Sequence, residues 1–592
     1  MAVTLNSPGI FLNENDTSQI TTGPISVGAA LIGPTVKGPV SIPTIVTSYS
    51  DFKSKFGCDF VDILGTTTEY LTSIAAYNYF QQGGSSLLVS RVVSGAYAPA
   101  SASILSAVTS ASFVLETLSQ GSIMNSIGEG VVAGGQVTTS SLYNLTGSAL
   151  ISGSSDNIRW EITSANTASG QFSLSIRQGN DYEGAKTVLE SWNNLSLDPN
   201  SSNYIEYVIG NQSSQLTLDG QGNFYVATTG SYPNNSRYVR VKAVNNPTPN
   251  YLTPTGAPKP EYIQFIPAVG SGSCFGGFFG ATGVVNNAVT GSMFENIPSL
   301  QNLPIQGVVV DNYTSSISVL SNKDLFQYNV IYAPGINLQN APNLISTLVS
   351  NTQQRGDAIA VVDTVAYNVA SNNTVIGLAQ SIDSSYGATY YPWLQMRSQE
   401  TGKLVFCPPS TVVPAAYEYN DRVGQPWFAP AGINRGALPT VIQPERRLSV
   451  SDRDALYQGK VNPIGVLPGQ GTVILGQKTL QSANSALNRV NVRRLLIELK
   501  ANVNQISSTL LFEPNTTATR NSFLNQVNPY LQYVQQRQGL YAFQVVMDET
   551  NNTADVIDRN QLVGAIYLQP TKTSEFIIVD FNITPTGATF GA

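Results

Sequence analysis

The chain has no histidine in 592 residues. That removes the side chain that most often serves as general base and metal ligand. The usual serine- and cysteine-protease arrangements go with it. Cysteine is nearly absent: Cys58, Cys274 and Cys407 are the three present, far apart and with no Cys-x-x-Cys pair. An odd, scattered set argues against a disulfide framework or a zinc site, and predicts three buried free thiols made in a reducing compartment. Charge is scarce too, at 11% of residues, against ~25% in an average soluble protein. The net charge of −7 is spread thinly, with no Lys/Arg run, so phosphate-binding surface is lacking and direct nucleic-acid binding is not expected. No apolar run reaches the ~18 residues that span a bilayer. The N-terminal "MAVTLNSPGIFLNEN" lacks a basic segment followed by an apolar one. Neither membrane insertion nor a signal peptide is expected.

What is present is apolar and hydrogen-bonding. Hydrophobic residues make up 42% of the chain, and Gly, Ser, Thr and Asn fill the place that charge leaves. Such surfaces suit extensive packing against neighbours. A chain this long exceeds one core, so roughly three to five domains are expected. Residues 1–24 are polar and extended in pattern, with Ser7-Pro8-Gly9 turning the chain before Ile10 and Phe11. "VGAALIGPTVKGPV" reads as strand then turn, "EYLTSIAAYNYFQQGG" as a helix closed by glycine, and "SLLVSRVV" as a strand. Ala96 to Ser112 is Ala/Ser-rich and reads as a linker or boundary. Residues 113–255 carry short alternating runs such as "QFSLSIRQ" and "NFYVATTG", which predict a β-rich insertion. The Pro-rich stretch 245–262 reads as a further boundary.

From 300 to 410 the character changes. "IQGVVVD", "YNVIYAPG", "DAIAVVD" and "ATYYPWLQM" are strand-like, with helical lengths such as "APNLISTLVSNTQQRG" between them. This alternation predicts a largely parallel sheet with helices on both faces. Ligands of such sheets bind at the strand C-terminal ends, where Asp311 and Asp363 fall. Without histidine or a second carboxylate nearby, both read as turn caps. "GTVILGQKT" departs from the phosphate-loop pattern because Gln477 separates Gly476 from Lys478, and its Val-Ile-Leu reads as a strand. "GSGSCFGGFFG" follows no clear strand and reads as a loop. No catalytic, cofactor-binding or metal site is expected.

Residues 482–538 hold the clearest helices. Val492, Leu495, Leu496, Leu499, Val503, Ile506 and Leu510 recur at three and four. Arg489, Arg493, Arg494 and Lys500 decorate this helix. A solvated face is the slightly favoured reading, docking to an acidic partner the other. Asn515 or Thr516 caps a second helix, which Pro529 is expected to kink or divide. "LYAFQVVMD" and the segment Glu575–Thr584 then read as strands. The latter places Ile577, Val579, Phe581 and Ile583 on one face. An unpaired apolar strand near a chain end invites pairing with another chain.

Many of these stretches, in this order, resemble the tail sheath proteins of contractile-tailed bacteriophages. They include "SPGIFLNEND", "AALIGPTVKGPVSIPTIVTSYSDFKSKFG", "RGDAIAVVD", "YYPWLQM", "DRVGQPWFAPAGINRG", "FEPNTTATR" and "IDRNQLVGAIYLQPTKTSEFIIVDF". The resemblance is strong over 1–93 and 300–592 and weaker between. It implies an α/β and α+β multidomain protein with a subtilisin-like α/β middle domain lacking protease activity. The implied division is an N-terminal arm (1–24), a discontinuous core domain (25–95 with 300–475) and a β-rich inserted region of one or two subdomains (96–299). A C-terminal α+β assembly domain near the tube (476–573) and a C-terminal arm (574–592) complete it. The arms, at Gly9, Ile10, Phe11 and Leu12 and at Ile577, Val579, Phe581 and Ile583, would complete sheets of neighbouring subunits. The resemblance implies stacked six-fold rings around a tail tube that contract to drive the tube through the host envelope. The implied partners are copies of itself, the tail tube protein, and baseplate and tail terminator proteins. The place is the virion, after assembly in the host cytoplasm. The sheath of a related machine, a phage-tail-like bacteriocin or secretion system, is the alternative.

Overall fold

The computed structural model describes residues 26–575, apart from 62–66, 94–96, 121–130, 134–135, 139–157, 180, 182–183, 221, 223, 272–281, 284–307, 309 and 370. Its largest element is an eight-stranded sheet. The strands are β1 (Ser26–Gly33), β2 (Thr44–Val46), β3 (Leu87–Arg91), β4 (Gln327–Asn337), β5 (Ile359–Asp363), β6 (Gly387–Tyr391), β7 (Asn462–Leu467) and β8 (Gly471–Ile474). They lie in the order β2-β3-β1-β4-β5-β6-β7-β8. Strands β3 through β7 in that row, with β1 among them, pair in parallel, and an antiparallel strand closes each end. The central strands are buried on both faces, which is why they read as unbroken β-branched and aromatic runs and not as alternating ones.

Two apolar layers sandwich this sheet. One contains Leu31, Val89, Val361, Trp393 and the helix α1 (Leu71–Gln81); the other contains Ile32, Ile331, Val362 and the helix α2 (Pro342–Arg355). Helix α2 starts with proline at its first turn and ends at Gly356, whose φ of 76° is the left-handed conformation a helix stop needs. Arg355 folds from its last turn over Tyr328 and donates to the carbonyls of Leu320 and Phe326, tying helix to sheet. On the other face α3 (Val413–Val423) packs on α1. There β1 runs so close that a Cβ at Gly28 would lie 2.4 Å from the Tyr79 hydroxyl and 2.5 Å from a Glu418 oxygen.

Two expectations change here. Of "IQGVVVD", residues 305–307 and 309 lie outside the described residues, and Val310–Asn312 is a single 3-10 turn. The Ala/Ser-rich stretch is not a linker but the strand Tyr97–Leu105, paired with Ala111–Gln120. Its partner supplies Phe113 and Leu115, against which Ala100 and Ile104 are buried. The Pro-rich stretch packs against the same β-rich region: Thr248 donates to the Leu197 carbonyl and the Tyr251 hydroxyl to that of Thr167. The β-rich region is otherwise antiparallel, with Ile158–Asn166, Gln171–Gln178 and Val188–Ser196 as its longest ladder.

The last part of the chain is helical with a small sheet. After α4 (Val450–Gln458) and β8 come α5 (Val490–Ser508) and α6 (Thr517–Gln536). The strands β9 (Leu540–Val546) and β10 (Ala565–Pro570) follow. Thr516 caps α6 by accepting from the Thr519 N–H. Pro529 does not divide α6, which runs through it. It lies on the exposed side, where water can satisfy the carbonyl it leaves unpaired, while buried Phe523, Val527, Leu531 and Val534 hold the helix from the other side.

Candidate functional site

In a parallel sheet the place for chemistry is the crevice at the strand C-terminal ends, where the strand order reverses. Here β1 meets β4 at that reversal. The crevice is filled by the chain itself: the turn Pro409–Thr411 packs on β4, β5 and β6 and on α1. Ser410 and Thr411 are buried. Asp363 ends β5 and is 3% exposed. Its carboxylate accepts from the Ser410 hydroxyl at 2.6 Å and from the Ser410 N–H at 3.2 Å. Burial pushes its pKa up to about 7, against the two hydrogen bonds that pull it down. Asp363 is therefore a cap on the turn that plugs the crevice. Asp311 sits apart from it, exposed, in the 3-10 turn. No group of three or more Cys, Asp or Glu able to hold a metal occurs among the described residues. Cys407 is buried and free, and burial raises its thiol well above the usual value. Cys58 departs from the expected burial: it is half-buried, and its thiol donates to Asp59. Cys274 lies outside the described residues.

Of the basic residues of α5, Arg493 and Arg494 do not form a solvated face, whereas Lys500 is exposed. Arg493 and Arg494 are buried. Arg494 forks onto Asp421 of α3, with Nη1 2.8 Å from Oδ1, and lies over the Tyr417 ring. Arg493 lies over the Tyr386 ring at 4.0 Å. Lys500 donates to the Tyr386 hydroxyl, and Arg489 pairs with Glu575. Spacing at three and four identifies the apolar stripe but does not say that Arg493 and Arg494 are covered as well. Arginine, weakly hydrated and able to stack on aromatics, tolerates that burial where its partner is fixed.

Among the strand edges left open are those of β9 and β10. They form an antiparallel pair, with no third strand on either edge among the described residues. Their inner face packs Phe543, Val545, Ile566 and Leu568 against Phe523, Val527 and Leu531 of α6. Tyr541 and Tyr567, each 61% exposed, stand on the open side. The Tyr541 carbonyl is taken by Gln535, so the free edge of β9 begins beyond it. The assembly residues expected from the sequence all fall outside the described residues: Gly9, Ile10, Phe11 and Leu12 before them, Ile577, Val579, Phe581 and Ile583 after them. The described chain ends at Glu575, whose carboxylate accepts from Arg489, Tyr457 and Gln477. Nothing in the sequence spacing marked Glu575.

Comparison with known proteins bears on both regions. Residues 306–480 match the model of the phage tail sheath protein central domain, and residues 482–584 that of the phage tail sheath C-terminal domain. The tail sheath protein of Vibrio phage KVP40 is 45% identical over 172 residues, 29% of this chain and 26% of that protein. That of Enterobacteria phage T4 is 43% identical over 170 residues, 29% of this chain and 26% of that protein. The chain thus matches about a quarter of the length of these two relatives. Among solved structures, the sheath tail protein Lin1278 from Listeria innocua aligns over 92% of this chain and 95% of that one, at 10% identity and a TM-score of 0.48, too distant to carry an argument.

Proposed function

The chain belongs to the phage tail sheath family by its central and C-terminal domains, and from that premise we propose that it is the structural subunit of a contractile tail sheath. Subunits stack as six-fold rings around a tail tube and shorten to drive the tube through the host envelope. The subunit is part of the virion, is assembled in the host cytoplasm, and meets the tube, baseplate and tail terminator proteins. The α/β part is a subtilisin-like scaffold without catalysis, a reading that the plugged crevice and the missing histidine support.

The observation that carries this reading is the two-stranded sheet β9–β10 within the matched C-terminal domain, which has no third strand among the described residues. A strand from another copy would add to its edge through main-chain hydrogen bonds, with alternating side chains fixing the register. The donors are Gly9–Leu12 and the segment bearing Ile577, Val579, Phe581 and Ile583. Contacts of this head-to-tail kind propagate into a helical tube instead of closing on themselves. Contraction needs no nucleotide: if the shortened lattice buries ~200 Å2 more per subunit, the gain is about 5 kcal/mol each. Negative-stain microscopy of the purified protein tests the polymer, where hollow cylinders are expected. Deleting residues 576–592 tests the arm. Tubes of normal length from that deletion would refute it.

A further inference from the structure

Residues 571–575 do not trail away from β10 but are tied down along their length. The Thr571 hydroxyl donates to the Gln538 carbonyl at 2.7 Å and its N–H to that of Gly539 at 3.2 Å. Gln477 Nε2 donates to the Thr573 hydroxyl at 2.5 Å and to Glu575 Oε1 at 3.2 Å. Arg489 then forks onto Glu575, with Nε 2.6 Å from Oε1 and Nη2 2.8 Å from Oε2. The Tyr457 hydroxyl adds a bond to Oε2 at 2.8 Å. The Lys478 ammonium lies over the Tyr457 ring at 4.4 Å.

The donors come from three places: Tyr457 from α4, Gln477 from the turn after β8, and Arg489 from the residue that precedes α5. The first two belong to the matched central domain and the third to the C-terminal one. A chain end ordinarily frays because nothing repays the entropy of ordering it. Here a charge-assisted fork and two neutral donors converge on one carboxylate. Burial pushes that carboxyl up, but Arg489, Tyr457 and Gln477 together outweigh it and leave it below the usual range, so it is ionised at neutral pH. The Glu575 and Arg489 side chains are 18% and 26% exposed, so the pair is accessible enough to open and shielded enough to hold.

We propose that Glu575 is a latch, held by Arg489, Tyr457 and Gln477, that fixes the point and direction from which residues 576–592 leave the subunit toward a second copy. This rests on the reading of that segment as an arm. A fixed root concentrates the arm at a neighbour's sheet edge, whereas a loose root dilutes it. The latch also staples the two sheath domains at their junction, so that an arm pulled by a neighbour transmits load to both.

The test uses the full chain with Glu575→Gln and, on the opposite side of the contact, Arg489→Gln. Amide hydrogen exchange is followed in peptides covering 571–575 and, as a check on folding, in those of α6. Exchange of the Thr571 amide, whose N–H donates to the Gly539 carbonyl, is expected to quicken by at least ~10-fold in either variant, given the strength of hydrogen bonds to an ionised group. Peptides of α6 keep the wild-type rate, and tubes become fewer and shorter. The double variant is expected to be no worse than either single one, since all remove the same contact. Exchange within two-fold of wild type, or faster exchange with unchanged tubes, would overturn the latch. The deletion of 576–592 separates the two ideas. If the deletion abolishes tubes while Glu575→Gln leaves them normal, only the latch fails. If the deletion itself leaves tubes normal, the arm fails and the latch's link to assembly fails with it.

Discussion

Asp363→Asn tests whether the best-placed acid of the parallel sheet is a buried cap and not a working group. The folded carboxyl keeps its proton up to about pH 7, while the unfolded chain releases it near the ordinary 3.8. A pKa raised by folding contributes stability that is complete below the unfolded value and is lost as pH rises through the folded one. At about 1.4 kcal/mol per pH unit, the loss between pH 5 and pH 8 amounts to about 2–3 kcal/mol. Asparagine has no proton to lose and can keep both contacts to Ser410, its oxygen accepting from the N–H and its amide donating to the hydroxyl. Glu69 and Glu418, both raised to about 7 by burial, and Glu445, raised to about 6 by burial, titrate in both proteins. They cancel in the difference. Unfolding by urea or heat, at concentrations too low for polymers, is compared at pH 5, 6, 7 and 8. The variant should gain about 2–3 kcal/mol on wild type between pH 5 and pH 8, about 5–10 °C in Tm for a unit of this size. Parallel profiles, or a variant that loses most at high pH, would refute a carboxyl that folding keeps neutral.

Two further substitutions probe the C-terminal part. Arg494→Met leaves Asp421 and the buried Glu418 without their cation and is expected to lower stability by about 3–5 kcal/mol. Arg494→Lys should recover only part, because an ammonium cannot fork, and a urea-midpoint change worth under about 1 kcal/mol for the methionine variant would refute the pairing. Phe512, at the turn between α5 and α6, is fully exposed and held at φ 68°. Phe512→Asn suits that left-handed backbone and should raise stability by about 1 kcal/mol in a thermal melt, whereas a fall would mean that the ring has a partner.

Periodicity made the regular parts legible. The run of β4, β5 and β6, the helix α2 and the stripes of α5 and α6 were all visible as patterns of burial. What failed was whatever depends on the neighbour instead of the segment. Ala102 sits in a strand because Leu115 lies opposite it, not because of its own propensity. Arg493 and Arg494 are buried because Tyr386, Tyr417 and Asp421 come from distant segments to meet them. Pro529 is expected to kink or divide α6, and it does not divide it, because it falls on the exposed side, opposite the buried Phe523, Val527, Leu531 and Val534. The Glu575 contacts span 86 to 118 residues of chain separation, and no local pattern signals them.

The open β9–β10 pair and the closed parallel sheet point the same way. A binding or catalytic protein of this sheet type keeps its crevice open and its titratable groups accessible. Here Ser410 and Thr411 fill the crevice, and Asp363 is spent on holding them. A two-stranded sheet by itself is marginal in water, and β9–β10 is backed by α6 on one face only. Its outer edges carry no further strand among the described residues. A backbone edge selects its partner by register and shape, with little help from charge. That is the kind of contact open to a chain with 11% charged residues, and under the proposed function it is the contact that would join one copy to the next.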